Sequence, residues 1–363
     1  MTYCDPVLLA LSLLSLFFWL EVARVHLIPR RRLTRLADLP EDLPAGRPWP
    51  RLAVIVPCMN EGVGVSRAVA SLLEQDYPDL RVISIDDRST DDTGRLLEEA
   101  AAHDPRLSVL HVTELPPNWL GKNHANWLGW RAAEEGAEWL LFTDGDVRFR
   151  PGALKRAVAR GLASGAGHVT AFPQLELGGF TESAFLCAFV VWFGIRFRPQ
   201  YAGAPGSRWF LGIGAFNLVR RDAYEAVGTH EALRLTLADD MALGKLLHQS
   251  GHGQAVLSGD DQVVVRWQAG LAATVRGLYK SAFASLSFSV PMVVASCLGL
   301  LLTNLYPWLA LEAHGTARAA GAAALALLCA TYYTAARTLG HGRLTSLALA
   351  LTNWVGGLLF LWL

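Results

Sequence analysis

The segment Arg51-Leu-Ala-Val-Ile-Val-Pro-Cys-Met-Asn-Glu61 decides the fold class. Its first six residues include a short, unbroken β-branched run that ends at Pro57, as expected of a strand that is buried on both faces. The polar turn after it leads into a stretch that runs to about Gln75 and predicts a helix. A buried strand followed by a helix is the repeating unit of a parallel α/β sheet.

The same pattern recurs three times before residue 146. Strands are predicted at residues 80–85, 107–111 and 139–143, with helices after the first two of these. The stretch Ser89-Thr-Asp-Asp92 has the composition of a helix N-cap, and a further helix is predicted from Lys122 to Glu135. Strands that alternate with helices imply a doubly wound, mostly parallel sheet.

Ligands of such sheets bind beyond the carboxyl ends of the strands. Pro57, Asp86 and Asp144 each stand at the end of a predicted strand. Asp144-Gly-Asp146 places two carboxylates one residue apart there, which suits a hard divalent cation whose shell is completed by substrate phosphates. The triplet alone is common and often only caps a helix, so its position after a buried strand is what favours a metal site.

Several classes of protein are disfavoured. No predicted strand is followed by a Gly-rich dinucleotide fingerprint or by a phosphate loop of the GxxxxGK[ST] kind, which argues against a dehydrogenase or a kinase. Lys+Arg and Asp+Glu are both 32, so no charge excess favours nucleic acid. The five cysteines are scattered without a CxxC pair, so we expect small buried hydrophobes and not a disulfide framework or a zinc site.

The chain is 52% hydrophobic, and the excess lies at its two ends. Residues 1–28 predict a transmembrane anchor, although the helix reaches about 20 residues only by including Glu21 and Arg24. About three more spans are predicted within residues 289–363, from apolar stretches at residues 291–311, 319–336 and 346–363. For the Ala-rich second stretch, a buried helical hairpin is the alternative.

A basic cluster follows the first apolar run and consists of Arg30, Arg31, Arg32 and Arg35. The positive-inside rule keeps this cluster cytoplasmic, which makes residues 29–50 a basic cytoplasmic linker and places the next domain in the cytosol. A cleaved signal peptide is the alternative, but there the positive charges precede the apolar run. The prediction is a multi-pass protein of the inner or plasma membrane with a cytoplasmic domain at residues 51–270.

Six motifs in this order resemble those of the family 2 inverting glycosyltransferases, which have the A-type nucleotide-diphospho-sugar transferase fold. They are Val-Ile-Val-Pro-Cys-Met-Asn-Glu (54–61), Asp-Asp-Arg-Ser-Thr-Asp-Asp-Thr (86–93), Asn-Trp-Leu-Gly-Lys-Asn (118–123), Asp-Gly-Asp (144–146), Gly-Ala-Phe-Asn-Leu-Val-Arg-Arg (214–221) and Ala-Asp-Asp (238–240). The resemblance covers roughly residues 52–280, and the ordered set is specific although each piece is not. Within the family, the chain is most similar to membrane-bound members that act on lipids, such as the ceramide, carotenoid and hopanoid-associated glycosyltransferases.

The resemblance implies transfer of a sugar from a nucleotide-diphospho-sugar donor to a lipid or lipid-like acceptor, with inversion and with Mn²⁺ or Mg²⁺. It implies that Pro57 and Glu61 line the nucleoside pocket and that Asp86 contacts the base. Asp87 would share that contact or cap the following helix. Lys122 would lie near the diphosphate, with a solvated helix start as its alternative.

The resemblance also divides the remaining carboxylates. Asp144 would face the ribose or sugar and join Asp146, the main metal ligand, while Asp240 would be the general base and Asp239 would orient it or contact the acceptor. Inversion needs one base opposite the leaving group and positive charge against the diphosphate. Adjacent carboxylates raise one pKa by repulsion, which suits a base. The alternative for this pair is a helix N-terminus with favourable dipole interactions.

One segment departs from the family. Many membrane members carry a Q-x-x-R-W motif, and here Gln262-Val-Val-Val-Arg-Trp267 is one residue too long. Arg266 and Trp267 are expected to keep the contact with the donor, whereas Gln262 would be only a strand residue. A processive polysaccharide synthase is the alternative function, but such synthases usually keep that motif and have more membrane spans. A non-catalytic nucleotide-sugar-binding protein is a further one, but it predicts a broken carboxylate set.

The acceptor side is predicted from two apolar segments. Residues 185–195 are too short to span, and Arg196 and Arg198 follow them, so an interfacial helix is predicted, with a core helix as the alternative. Residues 271–288, with Arg276 and Lys280, predict an interfacial amphipathic helix. If both lie on the membrane, a lipid acceptor reaches the site without leaving the bilayer.

Overall fold

The computed structural model describes residues 5–27, 33–43, 47–133, 135–204, 206–266, 270–285 and 289–361. The chain divides into two compact units. The sheet unit consists of Leu33–Glu176 and Pro199–Trp267. The helical unit consists of Met1–Arg32, Leu177–Arg198 and Gln268–Leu363.

The described residues form nine strands and fourteen α-helices. The strands are β1 (Thr34–Arg35), β2 (Leu52–Cys58), β3 (Leu80–Asp87), β4 (Leu107–Val112), β5 (Trp139–Phe142), β6 (Arg148–Phe149), β7 (His168–Leu175), β8 (Asn217–Arg220) and β9 (Gln254–Val265). The helices are α1 (Pro6–His26), α2 (Val63–Leu73), α3 (Thr93–His103), α4 (Gly121–Ala132), α5 (Ala153–Ser164), α6 (Phe180–Phe197), α7 (Arg221–Ala226), α8 (Asp239–Gln249), α9 (Leu271–Ser285), α10 (Val290–Leu300), α11 (Tyr306–Leu309), α12 (Gly315–Thr338), α13 (Arg343–Leu351) and α14 (Asn353–Phe360).

All nine strands belong to one sheet, in the order β1-β9-β7-β8-β5-β2-β3-β4, with β6 paired to β9. β2 pairs in parallel with both β3 and β5, and β3 with β4, which confirms the mostly parallel sheet predicted from the first four strands. β8 runs antiparallel to β5 and β7, so its first residue, Asn217, stands opposite Phe142. The start of β8 and the end of β5 therefore meet at the same edge of the sheet.

The central strand β2 packs on both faces, which explains why its sequence does not alternate between apolar and polar residues. Val54 and Val56 point into one hydrophobic core and Ala53 and Ile55 into the other. All four side chains are at most 1% exposed. The two cores cover the two faces of the sheet. The loops that follow the strands lie at its carboxyl edge, outside both cores.

Part of the segment predicted as a basic linker at residues 29–50 pairs with the sheet. Thr34 and Arg35 form β1, which pairs in parallel with β9, and Leu36 in the 3₁₀ turn after it is fully buried. Arg35 forms an ion pair with Asp260. Burial of Leu36 and backbone pairing hold the segment on the sheet. The cluster residues Arg30, Arg31 and Arg32 lie outside the described residues.

The helical unit contains the apolar helices. Among the described residues, four helical segments are long and apolar enough to cross a membrane by length and composition: Pro6–His26, Phe180–Tyr201, Val290–Glu312 and Gly315–Thr338. The third of these includes a π-helical turn at Leu301–Leu305, and its polar groups are satisfied internally. The Trp19 indole donates to the Thr303 carbonyl at 2.7 Å, and Tyr332 donates to Asn304 Oδ1 at 2.8 Å. Internal satisfaction of polar groups is what an apolar surrounding requires.

Two apolar segments differ from the prediction. α6 extends beyond the apolar run 185–195 at both ends and belongs to the helical unit, not to a continuous domain at 51–270. Polar residues at its start are buried, Glu182 among them, so hydropathy alone underestimates its length. The stretch predicted as the last span is divided at Thr352 into α13 and α14, of nine and eight residues.

Candidate active site

The loops after β2 and β3 are held together by short polar side chains. The Thr93 hydroxyl accepts hydrogen bonds from the backbone N–H groups of Glu61 and Gly62, at 2.9 and 3.0 Å. Asn60, with a positive φ of 57°, accepts from the Thr90 N–H at 2.8 Å. These bonds fix the turn that presents Glu61, one of the predicted nucleoside-pocket residues. Pro57, the other, is half-buried within β2.

The predicted helix cap at residues 89–92 is only partly right. α3 begins at Thr93, and the side chain of Asp92 at its N-cap accepts from the Arg95 side chain at 3.3 Å but from no backbone N–H of the helix. Asp91 accepts the Thr93 N–H instead, at 3.0 Å. The hydroxyl groups of this segment join two loops, a task that the local sequence pattern does not distinguish from capping.

Asp86 and Asp87 end β3 in different surroundings. Asp86 Oδ2 lies 2.9 Å from His111 Nδ1, while its Oδ1 is buried and has no hydrogen-bond partner among the described residues. Asp87 is bound by the Arg88 guanidinium through both oxygens, at 2.7 and 2.9 Å. Asp87 therefore forms an ion pair and does not cap α3, whereas Asp86 retains one oxygen for a ligand.

Lys122, Asp144 and Asp240 converge from three separate elements. Lys122 on α4 donates to Asp144 Oδ1 at 2.5 Å, although its side chain is still 40% exposed. Asp240 Oδ2 accepts the Gly214 N–H at 2.9 Å. A Cβ atom added at Gly214 would lie 2.9 Å from Asp144 Oδ2, 3.2 Å from Lys122 Nζ and 3.5 Å from Asp240 Oδ2. Glycine at this position thus keeps open the point at which the three charges meet.

The two aspartates after β5, Asp144 and Asp146, differ in whether a positive charge neutralises them. Asp144 is paired with Lys122, whereas no salt bridge to Asp146 occurs in the described part of the chain. Burial, together with repulsion from Asp144 and Glu61, raises the pKa of Asp146 to about 7. Burial and the Asp144 charge also raise the pKa of Glu61. This region is therefore an oxygen-rich site with unsatisfied negative charge, as a hard cation requires.

Among the described residues, no three His, Cys, Asp or Glu side chains are arranged to hold a metal ion by themselves. Two carboxylates from Asp144 and Asp146 are consistent with a Mg²⁺-type site that takes its other ligands from phosphate and water. The donor set is all oxygen, and it includes the carboxyl whose pKa is raised by neighbouring negative charge. The residues present thus fit the predicted Mn²⁺ or Mg²⁺.

Asp239 and Asp240 begin α8 but face different partners. Asp239 is 6% exposed, accepts from Asn126 Nδ2 at 3.3 Å and lies 3.6 Å from His230 Nε2. Asp240 is half-buried and accepts two backbone N–H groups, from Gly214 and from Met241. The alternative of a helix N-terminus explains the bond from the Met241 N–H to Asp240. It does not explain the partners outside α8, which differ between the two aspartates.

Their electrostatic surroundings push the two pKa values apart. Burial would raise the pKa of Asp239, but the charge of Lys122 and the contact with His230 outweigh it and hold that pKa below its ordinary value. Burial and the charge of Asp239 raise the pKa of Asp240. Burial by itself would lower the pKa of Lys122. The negative charges of Asp144, Asp239 and Asp240 outweigh this effect and raise that pKa, so the amine stays charged. A permanently charged carboxylate beside one with a raised pKa is typical of a pair with separate roles.

A buried contact between Tyr224 and His230 lies beside Asp239 and is not predicted from the sequence. The Tyr224 hydroxyl accepts the His230 backbone N–H at 2.9 Å and forms a second hydrogen bond with His230 Nδ1 at 2.7 Å. On the other side of the ring, Nε2 lies 3.6 Å from Asp239 Oδ2 and 3.4 Å from Asn126 Nδ2. Both side chains are at most 1% exposed. His230 follows Tyr224 by six positions and precedes Asp239 by nine, a spacing that matches no short motif.

Of the residues at 262–267 that were considered for contact with the sugar donor, the structure describes Gln262 and Arg266. Gln262 lies on β9, and its side-chain oxygen accepts from Arg156 at 2.9 Å, which agrees with its interpretation as a strand residue. Arg266 follows β9 directly and is exposed. β9 is parallel to β7, so its carboxyl end is at the edge that carries Asp144. Trp267 lies outside the described residues.

Comparison with known proteins gives a consistent result. Residues 53–228 match the model of glycosyl transferase family 2. The chain is 31% identical over 136 residues to the GalNAc(5)-diNAcBac-PP-undecaprenol beta-1,3-glucosyltransferase of Campylobacter jejuni, which covers 38% of this chain and 42% of that protein. It is 34% identical over 118 residues to an N-acetylglucosaminyltransferase of Mesorhizobium japonicum, covering 32% of this chain and 26% of that protein. The chain thus matches less than half the length of both relatives.

A solved structure extends the similarity to nearly the whole chain. The mannosyltransferase PcManGT from Pyrobaculum calidifontis, in complex with GDP-Man and Mn²⁺, aligns over 98% of this chain and 99% of its own, with a TM-score of 0.53 and 20% identity. At this identity the comparison concerns the fold alone. It confirms the predicted A-type nucleotide-diphospho-sugar transferase fold.

Proposed function

Because residues 53–228 form a domain of glycosyl transferase family 2, we propose that this chain moves a sugar from a nucleotide-diphospho-sugar onto a lipid or lipid-like acceptor. The observation that carries the proposal is the convergence of Lys122, Asp144 and Asp240 around Gly214. That arrangement combines a cation for a diphosphate with a carboxylate for a hydroxyl group. Both relatives are named as glycosyltransferases, and the name of the Campylobacter protein includes a diphospho-undecaprenol-linked glycan, which supports a lipid-linked acceptor.

Binding of the donor uses the carboxyl edge. Asp86 presents its free oxygen to the base, Pro57 and Glu61 line the nucleoside, and Asp144 faces the ribose or sugar. Lys122 turns from Asp144 to the diphosphate, and Arg266 approaches the same groups from the end of β9. Asp146, assisted by Asp144, holds the divalent ion. When bound, that ion supplies positive charge against the diphosphate as it leaves.

Transfer needs one base, and Asp240 fills that role. As the acceptor hydroxyl oxygen bonds to the anomeric carbon, the bond from that carbon to the diphosphate oxygen breaks on the opposite face, and the proton passes to Asp240. Each oxygen of Asp240 accepts one backbone N–H, which fixes the carboxylate and leaves lone pairs for the acceptor. Asp239, held charged by Lys122 and His230, keeps the proton affinity of Asp240 high. A single displacement of this kind inverts the anomeric centre.

A screen of donors tests the activity. Membranes from cells that express the full chain are incubated with labelled UDP-, GDP- and TDP-sugars, and lipid extracts are analysed by mass spectrometry. We expect one donor class to label a lipid-linked product, and the Asp240→Asn variant in the same membranes to label none. Release of free sugar without a lipid product, or equal labelling by the variant, would contradict the proposal.

We propose that the apolar helices anchor the enzyme in the membrane, with α1, Val290–Glu312 and Gly315–Thr338 as crossings. α6 is long enough by composition, but it connects β7 to β8, which pair in one sheet. One crossing by α6 would put these two strands on opposite sides of the bilayer. An interfacial or re-entrant α6 is therefore the consistent arrangement, and it agrees with the predicted placement of residues 185–195.

Cysteine labelling tests this topology. Glu114 precedes α6, Lys245 follows it, and both are exposed in the sheet unit. In intact cells, an impermeant maleimide is expected to leave both Glu114→Cys and Lys245→Cys unlabelled until the membrane is permeabilised, since we place the sheet unit in the cytosol. The parent chain gives the background from its own cysteines. Labelling of only one of the two variants in intact cells would refute the topology.

A further inference from the structure

Asp86 is placed by a neighbour that the proposed chemistry does not use. His111 on β4 stands opposite Asp86 in the parallel register of β3 and β4. Its Nδ1 lies 2.9 Å from Asp86 Oδ2, and its Nε2 lies 2.8 Å from Glu98 Oε1 on α3. Because both partners are carboxylates, both ring nitrogens must donate, so the ring is an imidazolium. The two carboxylates raise the pKa of His111 accordingly.

The packing around this contact leaves Asp86 little freedom. The Asp86 side chain is 12% exposed, while that of His111 is 44% exposed. α3 approaches so closely that a Cβ atom at Gly94 would lie 2.5 Å from Asp86 Oδ2 and 3.3 Å from His111 Cε1. With Oδ2 engaged and covered, Oδ1 remains as a buried acceptor without a partner in the described part of the chain. A buried carboxylate oxygen in that state needs an N–H or O–H donor, from a ligand or from water.

We infer that His111 is the positioning residue for recognition of the nucleobase. By holding Oδ2, it fixes the rotamer of Asp86 so that Oδ1 accepts an N–H group from the edge of the base. This inference rests on the proposed function, since it takes the ligand to be a nucleoside diphosphate. It adds to base selection a residue that lies 25 positions from Asp86 in the sequence.

Two amide variants separate the two nitrogens of the ring. An asparagine amide nitrogen can replace Nδ1 and keep the bond to Asp86, whereas a glutamine amide nitrogen reaches the position of Nε2 and keeps only the bond to Glu98. His111→Asn is therefore expected to bind nucleotide like the wild type. His111→Gln and His111→Ala are expected to bind the preferred nucleoside diphosphate about 10- to 100-fold more weakly, the usual range for a lost charged hydrogen bond.

The measurement is calorimetric titration of the purified full chain with UDP, GDP, CDP and ADP, each with Mn²⁺. Preference among the four bases should narrow in His111→Gln and His111→Ala but persist in His111→Asn. Inorganic pyrophosphate with Mn²⁺ is the matched probe without a base, and its affinity should not change in any variant. His103→Gln, on the exposed end of α3, is the control substitution and should leave every affinity unchanged.

Equal nucleotide affinity in all His111 variants and the wild type would overturn the inference and leave the proposed function standing. The same holds if pyrophosphate affinity falls in parallel with nucleotide affinity, because that pattern indicates a general disturbance of the site. A wild-type chain that binds pyrophosphate but shows no preference among the four bases would also overturn it. A wild-type chain that binds no nucleoside diphosphate would overturn the proposed function together with the inference.

Discussion

Replacing Asp240 by asparagine is expected to abolish sugar transfer while nucleoside diphosphate binding stays nearly intact. A general base contributes about 10²–10⁴-fold to the rate, and a base that must take the proton of an alcohol should be at the upper end. The amide has the size of the carboxylate but cannot take a proton. Turnover and nucleotide affinity should be measured side by side on the same preparation.

Asp239→Asn is the matched variant, because it removes the adjacent charge from the same turn of α8. Its effect on turnover should be smaller, whereas its melting temperature should fall further, since Asn126 and His230 lose a buried charged partner. Equal losses of turnover in both variants would mean that the pair shares the proton. Loss of nucleotide binding in Asp240→Asn would make Asp240 a donor-site residue.

The pH profile gives a second readout of the same prediction. Because burial and Asp239 raise the pKa of Asp240, the protonated, inactive form persists to higher pH than for an ordinary aspartate. In the wild type, kcat/KM should therefore fall as the pH falls through an apparent pKa above about 4, the ordinary value. In Asp239→Asn, removal of the neighbouring charge should move this limb to lower pH. If the acidic side of the kcat/KM profile is unchanged in Asp239→Asn, the group that titrates there is not coupled to Asp239.

Replacing Asp146 by asparagine is expected to have a comparably large effect through the metal. A divalent ion contributes several kcal/mol to the transition state, so turnover should fall by at least about 10²-fold. Asp146 has the raised pKa and no salt bridge within the described residues, whereas Asp144 is already paired with Lys122. Asp146→Asn should thus weaken Mn²⁺ binding far more than Asp144→Asn does.

Titration of Mn²⁺ in the presence of the nucleotide, followed by turnover assays across the metal range, measures both effects. Glu114→Gln, an exposed carboxylate of the same unit, is the control and should leave both unchanged. Removal of metal by excess chelator should stop turnover in the wild type. Full turnover in chelator, or an Asp144→Asn variant that loses more metal affinity than Asp146→Asn, would contradict the assignment.

The sequence by itself determined the sheet and the edge at which the site lies. A strand buried on both faces must be apolar throughout, so β2, β3 and β5 are visible as unbroken runs, and the polar residues after them mark the carboxyl edge. The same pattern predicts Asp86, Asp144 and Asp146 as site residues. The fold followed from the same logic, because alternating strands and helices permit few other arrangements.

Only the tertiary structure decided what each polar group does. β8 is antiparallel to its neighbours, and the loop before it brings Gly214 to Asp240. No local sequence pattern predicts this strand direction. Asp239 and Asp240 are neighbours in sequence, but their pKa values separate because Lys122, more than a hundred residues away, lies near both. His111 and His230 look like ordinary histidines until the fold places carboxylates beside them. Strand identity depends on side-chain burial, which the local sequence encodes, whereas the charge state of a group depends on neighbours that only folding assembles.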